Sequence, residues 1–198
     1  MAAVRVLVIP GSARTGSLNK KLAVQAAAAA RARGAEVTEV DLRALALPVY
    51  DGDIEAAGMP AGALELRRLF ATHDAVVFAA PEYNAFITPL LLNALDWASR
   101  PKADGDLPDG IAALGGTVAG LLSASPGAFG GLRALIPLRA FLSMNLAMLV
   151  VPATLSVPKA HEAFGADGAL VDARQQQALA KVVAAVLDTA AALKAGAA

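Results

Sequence analysis

The sequence predicts an α/β fold: a doubly wound parallel sheet with helices on both faces. Three observations carry this. Apolar runs of strand length alternate with helix-forming runs, five of each. The central apolar runs are almost continuous, as strands covered on both faces are. The most unusual loops follow the first, third and fourth strands. Such alternation implies right-handed crossovers. The expected strand order is 2-1-3-4-5, with a ligand crevice at the carboxyl ends of strands 1 and 3, where the order reverses. A chain of 198 residues is read as one domain spanning residues 1–198.

The elements follow in order. Residues 4–9 are apolar and form the first strand. Residues 18–33 are Ala-rich, with Leu22, Ala26 and Ala29 on one face, and Gly34 stops the helix. Residues 36–42 mix Val37, Val40 and Leu42 with polar neighbours, which suits an edge strand. Residues 43–59 read as a loop broken by Pro48, Gly52 and Gly58. Pro60 opens a second helix, with Leu66, Leu69 and Phe70 inward. Residues 75–80 form the next buried strand, and Pro89 opens a helix that runs through Arg100. A polar loop over 101–110 leads to an apolar strand at 117–123. Residues 132–146 form a helix in which Pro137 should cause a kink or a late start. Residues 148–151 are a last strand, continued only as an edge because of Pro152 and Pro158. Residues 170–193 keep helical apolar spacing.

The loop at residues 11–19 reads Gly-Ser-Ala-Arg-Thr-Gly-Ser-Leu-Asn and lies between strand and helix. A helix N-terminus carries N–H groups without intrahelical partners and a partial positive charge, so it receives an anion readily. Ser12, Ser17 and Asn19 add short donors, and Arg14 adds a full charge with a fork of N–H groups. The plainer alternative is that Ser17 only caps the helix and Arg14 is solvated. No Gly-Lys-Ser/Thr follows Gly16, and no G-x-G-x-x-G is present. The loop therefore suits a terminal phosphomonoester better than a triphosphate or a pyrophosphate.

The loop Pro81-Glu82-Tyr83-Asn84 sits where a planar ligand would lie if its phosphate occupied the first loop. Tyr83 offers an aromatic face, and Asn84 a donor and an acceptor. Read alone, these residues are an ordinary turn. The third loop, Ser125 to Gly131, is Gly-rich and permits close backbone approach to a ligand. Phe129 is a candidate to line the pocket.

Composition excludes several functions. Lys plus Arg equals Asp plus Glu at 17 each, which argues against a nucleic-acid footprint, since that needs a basic face. Cysteine is absent, which removes disulfides, Fe–S clusters and thiolate chemistry. His73 and His161 are the only histidines and read as surface residues, so no metal site is expected. The uncharged stretch 140–158 is about long enough to span a bilayer. Ser143, Asn145, Pro152 and Ser156 interrupt it, and it reads as a helix end followed by a strand. No signal peptide is recognisable, and a cytoplasmic location is expected.

On the helix from Pro89 to Arg100, Leu91, Leu95 and Ala98 face the sheet. Asn93, Asp96, Trp97 and Arg100 share another face. An outward Trp, with an Asp96–Arg100 pair, suggests a subunit interface.

Residues 11–19, with Leu22-Ala23 behind them, resemble the FMN phosphate loop of the NADPH-dependent FMN reductase family. Pro81-Glu82-Tyr83-Asn84, followed by residues 93–100, resembles that family's second signature. Ser125-Pro126-Gly127 with Gly130-Gly131-Leu132-Arg133 is similar to its third. The resemblance spans residues 4–158. It departs at Phe86, Thr88-Pro89 and Leu92, which touches the substrate side and the third helix's start more than flavin binding.

The resemblance implies a flavodoxin-like fold and an FMN-dependent oxidoreductase taking electrons from NADPH or NADH. It implies delivery to a quinone, flavin, azo compound or metal oxyanion such as chromate, by ping-pong turnover in one shared site. Ser12, Arg14, Ser17 and Asn19 would hold the phosphate, with Leu18 beside them. Pro81, Glu82, Tyr83 and Asn84 would contact the ring, and Ser125, Gly127 and Gly130 would flank its other edge. No side chain is assigned a catalytic role, because the flavin carries the chemistry. Relatives point to a homodimer or homotetramer. The alternative is a flavodoxin-like electron carrier without its own NAD(P)H turnover.

Overall fold

A computed structural model describes residues 3–196. The parallel sheet contains β1 (Arg5–Pro10), β2 (Glu36–Glu39), β3 (Ala75–Ala79), β6 (Val118–Ala124) and β7 (Leu149–Val157). A separate hairpin pairs β4 (Glu82–Tyr83) with β5 (Phe86–Ile87). The helices are α1 (Leu18–Ala32), α2 (Gly52–Ala57), α3 (Ala61–Thr72), α4 (Pro89–Ser99), α5 (Gly110–Leu114), α6 (Leu132–Asn145) and α7 (Ala173–Gly196). The sheet runs β2-β1-β3-β6-β7, which is the expected doubly wound order.

Alternating side chains feed two cores. Val6, Val8, Val77 and Leu122 pack under α1 and α7. Leu7, Ile9, Phe78 and Leu121 pack under α3, α4 and α6. Every residue of β3 and β6 is buried, which explains their continuous apolar runs. Gly120 brings α7 onto the sheet: a Cβ there would lie 2.6 Å from a methyl of Val186.

Several elements depart from expectation. β2 ends at Glu39, and Val40 and Leu42 turn into the core beyond it. β7 is longer than residues 148–151 and continues through Pro152. Its register shifts between Ala119 and Leu121 of β6, so β7 bulges where proline cannot donate. Arg139 of α6 compensates: its Nη1 donates to the carbonyl of Val151 at 2.9 Å. Pro137 does not delay α6, which begins at Leu132 and carries the proline within it. Residues 43–59 and 101–110 hold the short helix α2 and the start of α5, capped by Asp51 and Asp109. Residues 140–158 are the end of α6 followed by β7, and among the described residues no helix is long and apolar enough to cross a membrane.

The Trp97 face is a correction. Trp97 is 0% exposed, and Pro48 and Tyr50 of the same chain lie against it. Its Nε1 donates to the Pro48 carbonyl at 2.8 Å, and Tyr50 meets its ring edge-on at 5.0 Å. The Asn93 amide donates to the same carbonyl and accepts from the Tyr50 N–H. Arg100 pairs with Glu55 at 2.9 Å rather than with Asp96. The Arg100 and Tyr50 hydrogen bonds hold Glu55 below the usual carboxylate range. His73 is likewise partly enclosed: its Nδ1 meets the Leu69 carbonyl and its Nε2 the Thr38 hydroxyl, and burial lowers its pKa.

Candidate active site

The first loop leaves β1 with its backbone still tied to the sheet, since the Gly11 N–H donates to the Ala79 carbonyl at 2.9 Å. Ser12 is buried, and its Oγ accepts from the Arg14 N–H. Ser17 caps α1: its Oγ accepts from the Lys20 N–H at 3.4 Å. A helix leaves its first N–H groups without intrahelical acceptors, and the cap meets only that of Lys20. The N–H groups of Leu18 and Asn19 therefore stay available at the cavity wall.

Asn19 is used differently from a simple donor. Its side-chain Nδ2 donates to the Ala124 carbonyl at 2.8 Å, and its Oδ1 accepts from the Ala124 N–H at 3.0 Å. Both amide functions are committed, so the side chain clamps the first loop to the end of β6. What remains for a ligand is the Asn19 backbone N–H and the second hydrogen on Nδ2.

The second loop forms the β4–β5 hairpin. Asn84 and Ala85 have φ of 51° and 61°, the signature of a two-residue type I′ turn. The buried Thr88 hydroxyl donates to the Gly11 carbonyl at 2.8 Å and ties the hairpin exit to the first loop. In the third loop the Ser125 N–H donates to the Val157 carbonyl, and Ser125 Oγ accepts from the Gly127 N–H. Gly131 has φ 88°, and a Cβ there would lie 1.8 Å from Ser123 Oγ. Only glycine lets α6 begin this close to the sheet.

The three loops meet in a cavity of about 160 Å³. Ser12, Arg14, Ser17, Leu18, Asn19, Pro81, Glu82, Tyr83 and Ser125 line it, together with Ala124 and Pro126. Asn84, Gly127 and Gly130 do not: Asn84 and Gly127 are exposed, and Gly130 is buried outside the lining. Phe129 is 60% exposed beneath the Arg133 guanidinium and is likewise outside the lining. Pro126 lies in the third loop read from the sequence, whereas Ala124 escapes such a reading because an alanine ending a strand carries no chemical signal.

Among the described residues, two side chains that carry charge line the cavity, Arg14 and Glu82. Glu82 accepts from the Arg133 N–H at 3.1 Å and from its Nε at 2.8 Å, and Nη2 completes the pair. A cation, two hydroxyls and free helix-start N–H groups at one end suit a phosphate. An aromatic ring and proline at the other suit a planar ring system. The residues present therefore fit FMN.

The NADPH-dependent FMN reductase family model matches residues 4–162. The chain belongs to that family. An NAD(P)H-dependent FMN reductase of Pseudomonas aeruginosa is 34% identical over 175 residues, covering 88% of each chain. A probable NADPH:quinone oxidoreductase of Oryza sativa subsp. japonica is 34% identical, over 91% of this chain and 88% of its own. Among solved structures, the flavoenzyme NAD(P)H:(acceptor) oxidoreductase FerB of Paracoccus denitrificans superposes with a TM-score of 0.81. It is 29% identical, with 96% of this chain and 98% of that one covered. The reductase is thus a flavodoxin-like oxidoreductase that uses FMN and NAD(P)H. The electron-carrier alternative finds no support among these relatives, which are a reductase and an oxidoreductase by name.

Proposed function

We propose that this reductase binds FMN in the three-loop cavity and passes electrons from NAD(P)H to a small-molecule acceptor of the quinone, flavin, azo or oxyanion class. The observation that carries this is the meeting of the three loops in one cavity, with Arg14 as the cation among its described lining residues, just ahead of α1. In this reading Arg14, the Ser12 and Ser17 hydroxyls and the N–H groups of Leu18 and Asn19 hold the phosphate. Pro81, Tyr83 and Pro126 bracket the ring. Held by these residues, FMN would supply the two-electron redox chemistry that links NAD(P)H to the acceptor. The protein's part is to hold the ring with one face open, so that donor and acceptor use the same face in turn. A cytoplasmic location, where reduced nicotinamide is kept, accords with this.

The assembly in this reading is a homodimer or homotetramer, with its contact moved from Trp97 to α6. Leu132, Ile136 and Met144 are 41%, 65% and 83% exposed, and with the exposed Ala140 between the last two they follow one i, i+4 row as an apolar ridge. The hairpin packs against α6 and adds the half-exposed Tyr83 and Phe86. Contiguous exposed apolar surface of this kind favours a partner. A second copy there would also wall the cavity mouth beside Tyr83.

The test compares FMN with riboflavin, which lacks the phosphate. Arg14→Ala should weaken FMN binding by about 1.5–3 kcal/mol, the range for hydrogen bonds to charged groups. Riboflavin binding, followed by flavin fluorescence, should barely change. Equal losses for both ligands would place the phosphate elsewhere.

A further inference from the structure

Among the described residues, Glu82 is the only carboxylate that lines the cavity. Its side chain is 7% exposed, while that of its partner Arg133 is 54% exposed and lies outside the lining. One residue therefore answers the cavity's carboxylate from behind the wall, through its backbone N–H and two guanidinium nitrogens. The arrangement is built. Gly131 lets α6 start against Ser123, and a Cβ there would also come 3.7 Å from the Glu82 Cβ. The N–H of the first turn and the positive end of the helix then face Glu82. The Arg133 guanidinium is steadied over the Phe129 ring, 5.1 Å from its centre.

An unpaired carboxylate in a partly enclosed wall would oppose negative charge arriving beside it, since screening is weak there. We propose that Arg133 is a positioning residue for electron transfer. It neutralises Glu82 from outside the cavity, so that the wall does not resist reduction of the bound cofactor. This rests on the reading that FMN lies in the cavity with its ring beside Glu82.

The pair makes two predictions of opposite sign. Arg133→Ala leaves Glu82 uncompensated, and the affinity for reduced relative to oxidised FMN should fall about tenfold. For a two-electron couple that is about 30 mV in midpoint potential. Glu82→Gln leaves Arg133 unopposed and should shift the ratio the other way. The double variant should return close to wild type, and Arg133→Lys should retain much of the wild-type ratio. A purely structural role would move both single variants in the same direction and weaken both redox forms alike.

The measurement is anaerobic dye-equilibration of the FMN-loaded full chain, with oxidised-FMN affinity from fluorescence. Should Arg133→Ala not fold, Glu82→Gln and Arg133→Lys decide the matter by the sign and size of their shifts. A wild-type chain that takes up no FMN would overturn the functional reading and this inference together. A wild-type chain that binds FMN, with potentials unchanged in Arg133→Ala and Glu82→Gln, would overturn this inference alone.

Discussion

Asn19 shows how far a side chain's identity can be separated from its use. Its type and place beside a helix start suggest a phosphate donor. In the fold its amide is spent on both backbone groups of Ala124. It therefore sets the distance between the first loop and the end of β6, and through it the width of the cavity. Removing it would strand a buried N–H and a buried carbonyl. Asn19→Ala should cost about 2–4 kcal/mol, two hydrogen bonds plus the penalty of unpaired groups. Urea unfolding of the ligand-free chain would read this directly. A loss below about 1 kcal/mol would show that Ala124 finds other partners. Ser17 caps α1 and also lines the cavity.

The β4–β5 hairpin is the element most clearly shaped against local preference. Ala85 occupies the left-handed region at φ 61°, where a Cβ crowds the following carbonyl. Type I′ turns favour Asn-Gly, and here the second place holds alanine. Ala85→Gly should relieve about 1–2 kcal/mol of strain and return part of it to the unfolded chain's entropy. The expected net gain is about 0.5–1 kcal/mol, seen as a higher urea midpoint with unchanged slope. A destabilised variant would mean that the alanine methyl contributes packing that exceeds its strain. The neighbouring strap, residues 43–59, teaches a related point. Helical periodicity correctly separates the Trp97 face from the sheet face of α4, yet cannot say what covers it. Pro48 and Tyr50 do so from far upstream.

For the molecule as a whole, the open question of surface is assembly. With Trp97 enclosed, the apolar ridge of α6 beside the hairpin is the exposed apolar surface that borders the cavity. A charge placed in its middle should oppose a two-fold contact without disturbing the core, because Ile136 is 65% exposed. Ile136→Glu should therefore sediment as a smaller species than wild type while unfolding at the same urea midpoint. Its FMN should dissociate faster if the partner walls the site. A wild-type chain that already sediments as a monomer at micromolar concentration, with full activity, would rule the assembly out.

The sheet order and the meeting of three loops were legible in the sequence, because both follow from local signals. Apolar runs mark strands, periodic runs mark helices, and the alternation leaves one doubly wound order in which loops 1, 3 and 4 converge. The family was legible for the same reason, since its signatures are the loops themselves. Tertiary structure alone decided which polar groups were left free. Asn19 meets Ala124 across 105 residues, Trp97 meets Pro48 across 49, and Arg133 meets Glu82 across 51. Each of these pairings satisfies a buried or half-buried polar atom, and such atoms are satisfied by whatever the fold brings near. Spacing along the chain carries no trace of that partner. Donor inventories can therefore be written from the sequence, while the division between holding the fold and holding a ligand is made only when the chain has closed on itself.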